Sequence, residues 1–139
     1  MRLEITRKAD LAIRAVQALR DGVQRKGADL AEVIGTTPQF IAQVMKPLVR
    51  QGWVTSEPGP IGGYSLRSDP EDISLLGLIE VIEGPTVDGR CVLRGIPCPP
   101  FEPCVLHDAW TRARNALLDE LQGTSLAELQ EGVVNDESR

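Results

Sequence analysis

The sequence has no apolar run of the roughly 20 residues that a membrane-spanning helix needs. Charged residues occur throughout residues 1–20, and no apolar stretch there leads to a cleavage site, so we expect no secretory signal. No internal repeat is present. With 42% apolar and 25% charged residues, the chain is expected to form one compact unit in the reducing cytoplasm. No membrane partner is expected, and structural disulfides are rare in that compartment.

Histidine and cysteine are scarce, and the few that occur lie close together. The chain has one histidine, His107, and three cysteines, Cys91, Cys98 and Cys104, in a stretch rich in proline and glycine. The CxxC pair that usually opens a structural zinc site is missing, so zinc is not favoured. Nothing nearby supplies an oxyanion hole or a third orienting group for a nucleophilic cysteine. We therefore expect neither an enzyme nor a small-molecule substrate.

The net charge of −5 is unevenly spread along the chain. Residues 1–67 hold ten Lys/Arg and six Asp/Glu, a net charge of +4. Residues 68–139 hold five and fourteen, a net charge of −9. Because contact with phosphates depends on local rather than total charge, the first half is the candidate for binding a polyanion such as DNA.

Three helices are predicted in the first half of the chain. Apolar residues recur at helical spacing over residues 7–21, and Gly22 would end this helix. The string "ADLAEVIG" predicts a short second helix, with Asp29 and Glu32 at the spacing of a capping box and Gly35 as its end. The second helix and a third, which follows it after a tight polar turn, have the outline of a helix-turn-helix.

The third helix begins in the string "TTPQFIAQVMKPLVRQG". Thr37 is a good N-cap, and Pro38 suits the first helical position, where its missing N–H costs nothing. Pro47 removes a hydrogen bond within the same helix, so we expect a kink or an early end there. The next string, "WVTSEPGPIGGYSLRS", alternates apolar and polar residues around a Pro/Gly-rich tip and predicts a β hairpin, which would form the wing of a winged helix.

The second half of the chain predicts a fourth helix from Ser74 to Gly84 and a longer one after the cysteines. The longer helix has an apolar stripe at nearly heptad spacing, which suits packing against a partner chain. A last short helix is expected where Ser125 and Glu128 stand at capping-box spacing. The stripe comprises Leu106, Trp110, Ala113, Leu117 and Leu121.

These elements predict a mainly α fold: a winged helix-turn-helix with a two-stranded β wing and a long dimerisation helix. We assign residues 1–72 to a DNA-binding domain. Residues 73–132 are assigned to the cysteine loop and the dimerisation helix, and residues 133–139 to a flexible tail.

Several strings, in their order and spacing, resemble the Rrf2 family of bacterial winged-helix regulators. They are "MRL", "DLAIRAV", "LVRQGWVTS", "GPIGGY", the three cysteines and "SLAEL". The resemblance covers about residues 1–130. It implies a homodimer on a double-stranded DNA operator, with the third helix in the major groove, the wing at the minor groove and the long helix crossing the partner. It also implies a transcriptional regulator, which is expected to act as a repressor.

The resemblance also implies an iron–sulfur cluster on Cys91, Cys98 and Cys104. Soft thiolates on an irregular loop suit such a cluster, which needs about four ligands. His107 stands where IscR-type members supply the fourth ligand, which favours a [2Fe-2S] cluster. Asp10 resembles the carboxylate that NsrR-type members offer from the partner subunit to a [4Fe-4S] cluster, and it is the alternative. The signal sensed would be redox state, nitric oxide or iron status.

Nine residues are candidates for contact with DNA. Gln39 and Gln43 can pair with adenine edges, whereas the hydroxyl and basic candidates suit phosphates. The glycines would let the backbone of the wing approach the sugar–phosphate chain. Pro58 and Ala42 stand where family members often have an arginine and a glutamate, so the operator is expected to differ. The other candidates are Thr36, Thr37, Lys46, Arg50, Gly59, Gly62 and Gly63.

Two other functions remain open from the sequence. One is a regulator of the same fold in which the cysteines act as a metal-free thiol switch. The other is a zinc-binding or protein-interaction module built on a winged helix.

Overall fold

The computed structural model describes residues 2–129, which form five α helices and one two-stranded antiparallel sheet. No helix in these residues has the length and apolar character needed to cross a membrane. The arrangement confirms the predicted mainly α, winged helix-turn-helix fold. In chain order the elements are α1 (Arg7–Ala18), α2 (Gly27–Ile34), α3 (Pro38–Gln51), β1 (Val54–Glu57), β2 (Gly63–Leu66), α4 (Leu75–Glu83) and α5 (His107–Gly123), with a 3-10 turn at Pro70–Asp72 before α4.

The starts of α3 and α4 follow from local side-chain chemistry. The Thr37 hydroxyl accepts a hydrogen bond from the backbone N–H of Phe40 at 3.2 Å. The Ser74 hydroxyl accepts one from the N–H of Gly77 at 2.9 Å. Each hydroxyl satisfies an N–H that has no acceptor within the first helical turn. Both predicted N-caps are therefore confirmed.

The start of α2 differs from the prediction. The helix begins at Gly27 after Lys26, which makes no side-chain cap, so Asp29 lies inside the first turn and its capping box with Glu32 does not form. The cause is tertiary: the residue before the cap, Arg25, exchanges backbone hydrogen bonds of 2.9 and 2.8 Å with Tyr64 of β2. This pairing brings the chain into α2 already extended, so no side chain is needed to set the entry.

Of the two outcomes predicted at Pro47, a kink or an early end, the early end is wrong and the kink stays a prediction. The helix continues to Gln51 and ends at Gly52, whose backbone adopts the left-handed conformation and whose N–H bonds the carbonyls of Leu48 and Val49. Leu48 is fully buried, and this packing beyond the proline keeps the last turn in place. In contrast, α1 ends at Ala18, three residues before the predicted end, where the Leu19 N–H closes the last turn.

One continuous hydrophobic core lies between α1, α2, α3, α4 and the start of β1. Leu126, which follows α5, is also part of this core and is 1% exposed. Its N–H bonds the Ile73 carbonyl at 2.9 Å, and the Leu75 N–H bonds the Thr124 carbonyl at 2.8 Å. These hydrogen bonds attach the C-terminal end of α5 to the winged helix-turn-helix. The division at residue 72 stays a prediction.

Residues 126–128 form a turn rather than the predicted last helix. Half of the capping box does form, because the Glu128 carboxylate accepts a hydrogen bond from the N–H of Ser125 at 2.6 Å. The rest of that predicted helix and the predicted tail, residues 133–139, lie outside the described residues.

Replacing Leu126 with alanine is expected to lower the free energy of unfolding by about 2–5 kcal/mol, because it removes buried methyl groups and leaves a cavity in the core. Urea denaturation at one protein concentration would measure the change. Ile61→Ala is the control, since Ile61 is 91% exposed at the tip of the wing and does not line the groove on α5. Equal destabilisation by the two changes would contradict the role given to Leu126.

Candidate metal centre and nucleic-acid interface

The three cysteines lie on the irregular segment 84–106 that joins α4 to α5. Cys91 begins a tight turn, in which its carbonyl accepts from the Gly95 N–H and its N–H donates to the Ile96 carbonyl, both at 2.8 Å. Cys104 stands just before α5, where its carbonyl accepts from the N–H of His107 at 3.0 Å. Two of the thiols are thus placed by backbone hydrogen bonds at opposite ends of the segment.

The segment folds back so that all three Sγ atoms lie within 4.8 Å of one another. The sulfurs of Cys91 and Cys104 are 3.4 Å apart, a thiol hydrogen bond. Both residues are buried, with 9% and 8% exposure, and Cys98 is half-buried. All three are free thiols. Residues separated by as many as thirteen positions therefore converge on one centre.

The surroundings of Cys91 favour its thiolate. Backbone N–H groups of Arg94 and Leu93 donate to its sulfur and lower the pKa of Cys91 to about 7, although burial opposes this shift. The pKa of Cys104 is raised, first because its thiol bonds Cys91 and second because of burial. Donation from Cys104 to Cys91 agrees with both pKa shifts. Thiolates are the form of cysteine that binds metals.

A cavity of about 140 Å³ opens beside the sulfurs. His107, at the start of α5, is exposed and also lines this cavity. Asp10, the alternative fourth ligand, does not line it. Its carboxylate is half-buried on α1 and pairs with Arg7 at 3.5 Å and with Arg14 at 3.2 Å. Within one chain, the structure brings His107 but not Asp10 to the cysteines.

Arg114 also lines the cysteine cavity, and the sequence reasoning did not identify it. Its Nε atom is buried, and no described group accepts a hydrogen bond from it. A sequence signal was available: His107, Thr111 and Arg114 follow one another at intervals of four and three, which places them on one face of a helix. All three line the cavity.

The side chains predicted to contact DNA form an exposed stripe on α3. Gln39, Gln43, Lys46 and Arg50 are all exposed and advance by four, three and four positions, so they share one face. The opposite face is buried in the core through Ile41, Val44, Met45 and Leu48. Thr37 is exposed and serves as the N-cap, whereas Thr36 is half-buried.

The three candidate glycines of the wing have different surroundings. Gly59 is exposed at the tip, has a φ of +96°, and has open space around it. A side chain at Gly62 would collide with the backbone of Glu57, and one at Gly63 with the backbone of Arg25. Gly62 and Gly63 are therefore required by the wing itself, while Gly59 is free to approach another molecule.

The sequence profile of the Rrf2 family, described as iron-dependent transcriptional regulators, matches residues 5–132. An Aquifex aeolicus protein classed as an HTH-type transcriptional regulator is 31% identical over 106 residues, covering 75% of this chain and 74% of that protein. IscR of Escherichia coli is 29% identical over 102 residues, covering 73% of this chain and 62% of IscR.

The fold matches that of solved transcriptional regulators. The crystal structure of oxidized Staphylococcus aureus CymR superposes with a TM-score of 0.70 at 25% identity, covering 94% of this chain and all of CymR. The winged helix-turn-helix and the exposed face of α3 are parts that such a regulator uses to bind DNA. The chain therefore belongs to the Rrf2 family of DNA-binding transcriptional regulators, of the IscR and CymR type, and is not an enzyme.

Proposed function

We propose that this protein is a homodimeric repressor that senses redox state, nitric oxide or iron status through an iron–sulfur cluster held by Cys91, Cys98 and Cys104. The observation that carries the proposal is the convergence of the three Sγ atoms within 4.8 Å beside a cavity. As a transcriptional regulator, the protein would act in the cytoplasm on a double-stranded operator.

The donor set fits an iron–sulfur cluster. Three thiols supply soft ligands, and the pKa of about 7 at Cys91 makes one of them a thiolate near neutral pH. We assign His107 as the fourth ligand, because it is exposed and lines the same cavity. A cluster with such ligands would supply iron that reacts with oxidants and nitric oxide. This choice favours the [2Fe-2S] type over the [4Fe-4S] type.

The position of the segment 84–106 suggests how the site would affect DNA binding. The segment leads directly into α5, and the C-terminal end of α5 is attached to the winged helix-turn-helix through hydrogen bonds of Leu126 and Thr124. Ligation by the three thiolates would fix the segment and therefore the start of α5. We infer that a change at the cysteines alters the spacing between the two winged helix-turn-helix domains of the dimer.

The surface of α5 supports a homodimer. No residue of this helix is buried, and Leu106, Ala113 and Leu117 of its apolar stripe are exposed. Leu3 and Thr86 line a groove with four residues of this helix, Trp110, Ala113, Arg114 and Leu117. An apolar stripe at this spacing suits a second copy of the same helix.

Protein purified without oxygen is expected to be coloured, to absorb visible light and to contain iron and sulfide. Cys98→Ala should remove the absorption, because it removes one of three thiolate ligands. Phe101→Ala is the control within the same segment, since its side chain is 95% exposed and lines no part of the cavity. A colourless, iron-free wild-type dimer under these conditions would contradict the cluster.

A metal-free thiol switch is the second candidate, favoured by the 3.4 Å separation of the Cys91 and Cys104 sulfurs. The similar CymR structure is of an oxidized form. With hydrogen peroxide, the two thiols would give one disulfide and two waters, so the chain would lose two hydrogens in mass. Cys98→Ala separates the candidates, because it would abolish the cluster but leave this disulfide able to form. DNA affinity that responds to peroxide equally in Cys98→Ala and in wild type would favour the switch.

A further inference from the structure

Arg114 lines both the cysteine cavity and the groove on the surface of α5. It is on α5, and it lines the same cavity as Cys91, Cys98 and Cys104. Its Nε is the one buried side-chain nitrogen or oxygen among residues 2–129 that has no hydrogen-bond partner. Leaving a buried N–H unpaired is costly, so such a group in a folded protein calls for an acceptor.

The charges around the cavity point to a sulfur anion as that acceptor. No Asp or Glu is among the residues that line it within the described chain. Arg90 is the other cation on the lining, but it is exposed and pairs with Asp88 at 3.4 Å. Arg114 is therefore the cation left to offset the negative charge that builds up when the thiols become thiolates.

We propose that Arg114 is a positioning residue of the sulfur site, which donates its Nε–H to a sulfur atom there and compensates the charge of the thiolates. The inference rests on the proposed function, in which the site holds an iron–sulfur cluster. Hydrogen bonds to sulfur and positive charge nearby stabilise the reduced, more negative state of a cluster. Arg114 thus raises the reduction potential and slows loss of iron.

The test compares Arg114→Met, which lacks both the charge and the donor, with Arg114→Lys, which keeps the charge. Arg112→Met is the control on the same helix, because Arg112 is exposed and does not line the cavity. Each protein, prepared without oxygen, is titrated with dithionite, which supplies one electron to the site, and reduction is followed by visible absorption.

At the midpoint potential of the wild type, Arg114→Met is expected to show a ratio of reduced to oxidised protein about tenfold lower, a shift of about 59 mV for one electron. Arg114→Lys should recover part of this shift, and Arg112→Met should match the wild type. Loss of iron to a chelator is expected to be fastest in Arg114→Met.

Failure of this inference can be told apart from failure of the proposed function. A coloured wild type whose potential is unchanged in Arg114→Met would overturn the role of Arg114 alone. A colourless wild type would overturn the cluster, and with it this inference. Should Arg114→Met not fold, pulsed EPR of the reduced site in wild-type protein gives the answer, with arginine labelled with ¹⁵N at Nε alone so that the backbone N–H of Arg94, which bonds the Cys91 sulfur, carries no label. A weak ¹⁵N coupling is expected, and its absence would overturn the proposal.

Discussion

A variant with glutamate in place of Leu117 is expected to be a monomer that binds the operator at least about a hundredfold more weakly than the wild type does. Leu117 is 43% exposed and lies in the middle of the apolar stripe of α5. In a dimer this position would be dry, so a carboxylate there would lose its hydration without gaining a partner. Two copies would also place two like charges close together.

The DNA affinity is lost because a monomer no longer joins two DNA-binding domains in one molecule. When one DNA-binding domain of a dimer is bound, the second binds at a high effective concentration, and this advantage disappears in a monomer. Light scattering during size-exclusion chromatography measures the mass, and fluorescence anisotropy with a duplex measures the affinity.

Asn115→Glu is the matched control for Leu117→Glu. Asn115 is exposed on α5 and lies two positions away, about 200° around the helix, so it receives the same charge on the opposite face. This variant is expected to stay dimeric and to bind DNA as the wild type does. A dimeric Leu117→Glu protein with normal DNA affinity would show that the apolar stripe is not the dimer surface.

The parts of the fold that could be predicted are those decided by neighbouring residues. The Thr37 cap lies three residues from its donor, Phe40, and the wing is a local hairpin in which Val54 pairs with Leu66. The exposed stripe of α3 follows from helical periodicity alone. Such features depend on short sequence separations, so composition and spacing are enough to identify them.

The predictions that failed did so where distant contacts decide the outcome. Pairing of Arg25 with Tyr64, thirty-nine positions later, sets the start of α2 and replaces the expected capping box. Burial of Leu48 carries α3 past Pro47. In both places tertiary contacts outweigh the local preference, which amounts to a small free energy per residue.

The candidate site could likewise be predicted only in part. Sequence spacing identified the three cysteines and His107 as candidate ligands but could not show that the sulfurs converge. An irregular segment has no periodicity from which the directions of its side chains could be predicted. Arg114 was missed for another reason: a basic residue on a helix is usually solvated, and its helical spacing from His107 gains meaning only beside its unpaired, buried Nε.

The choice between His107 and Asp10 also depends on tertiary contacts. Asp10 is already engaged by Arg7 and Arg14 on its own helix. To ligate a metal in a second chain, it would have to exchange part of that interaction, whereas His107 is exposed beside the cysteines of its own chain. The ion pairs of Asp10 therefore favour a structural role for it in α1.

The second large effect is expected on α3, where Gln43→Ala should weaken binding to the operator by about 1–3 kcal/mol at each half-site. Glutamine can form two hydrogen bonds with an adenine edge, so its loss should also relax sequence discrimination at that base pair. Gln43 is exposed on the N-capped helix α3, as a residue that reads base edges in a groove would have to be. Because both DNA-binding domains carry the change, the effect on a dimer is doubled.

Lys46→Ala is expected to act differently, because an ammonium group on a phosphate carries no sequence information. It should weaken binding to every duplex alike and reduce the slope of affinity against salt by about 1 for each DNA-binding domain, since fewer counterions are released. Gln122→Ala, the same chemical change on α5, is the control for Gln43→Ala.

Anisotropy titrations at several salt concentrations, with an operator selected by the wild type and with a scrambled duplex, separate these effects. Gln43→Ala should lower the ratio of the affinities for the operator and the scrambled duplex and leave the salt slope unchanged. Lys46→Ala should leave this ratio unchanged and reduce the salt slope. If Gln43→Ala weakened both duplexes equally, Gln43 would be a backbone contact. Specificity would then have to arise from the shape of the DNA rather than from the glutamines of α3.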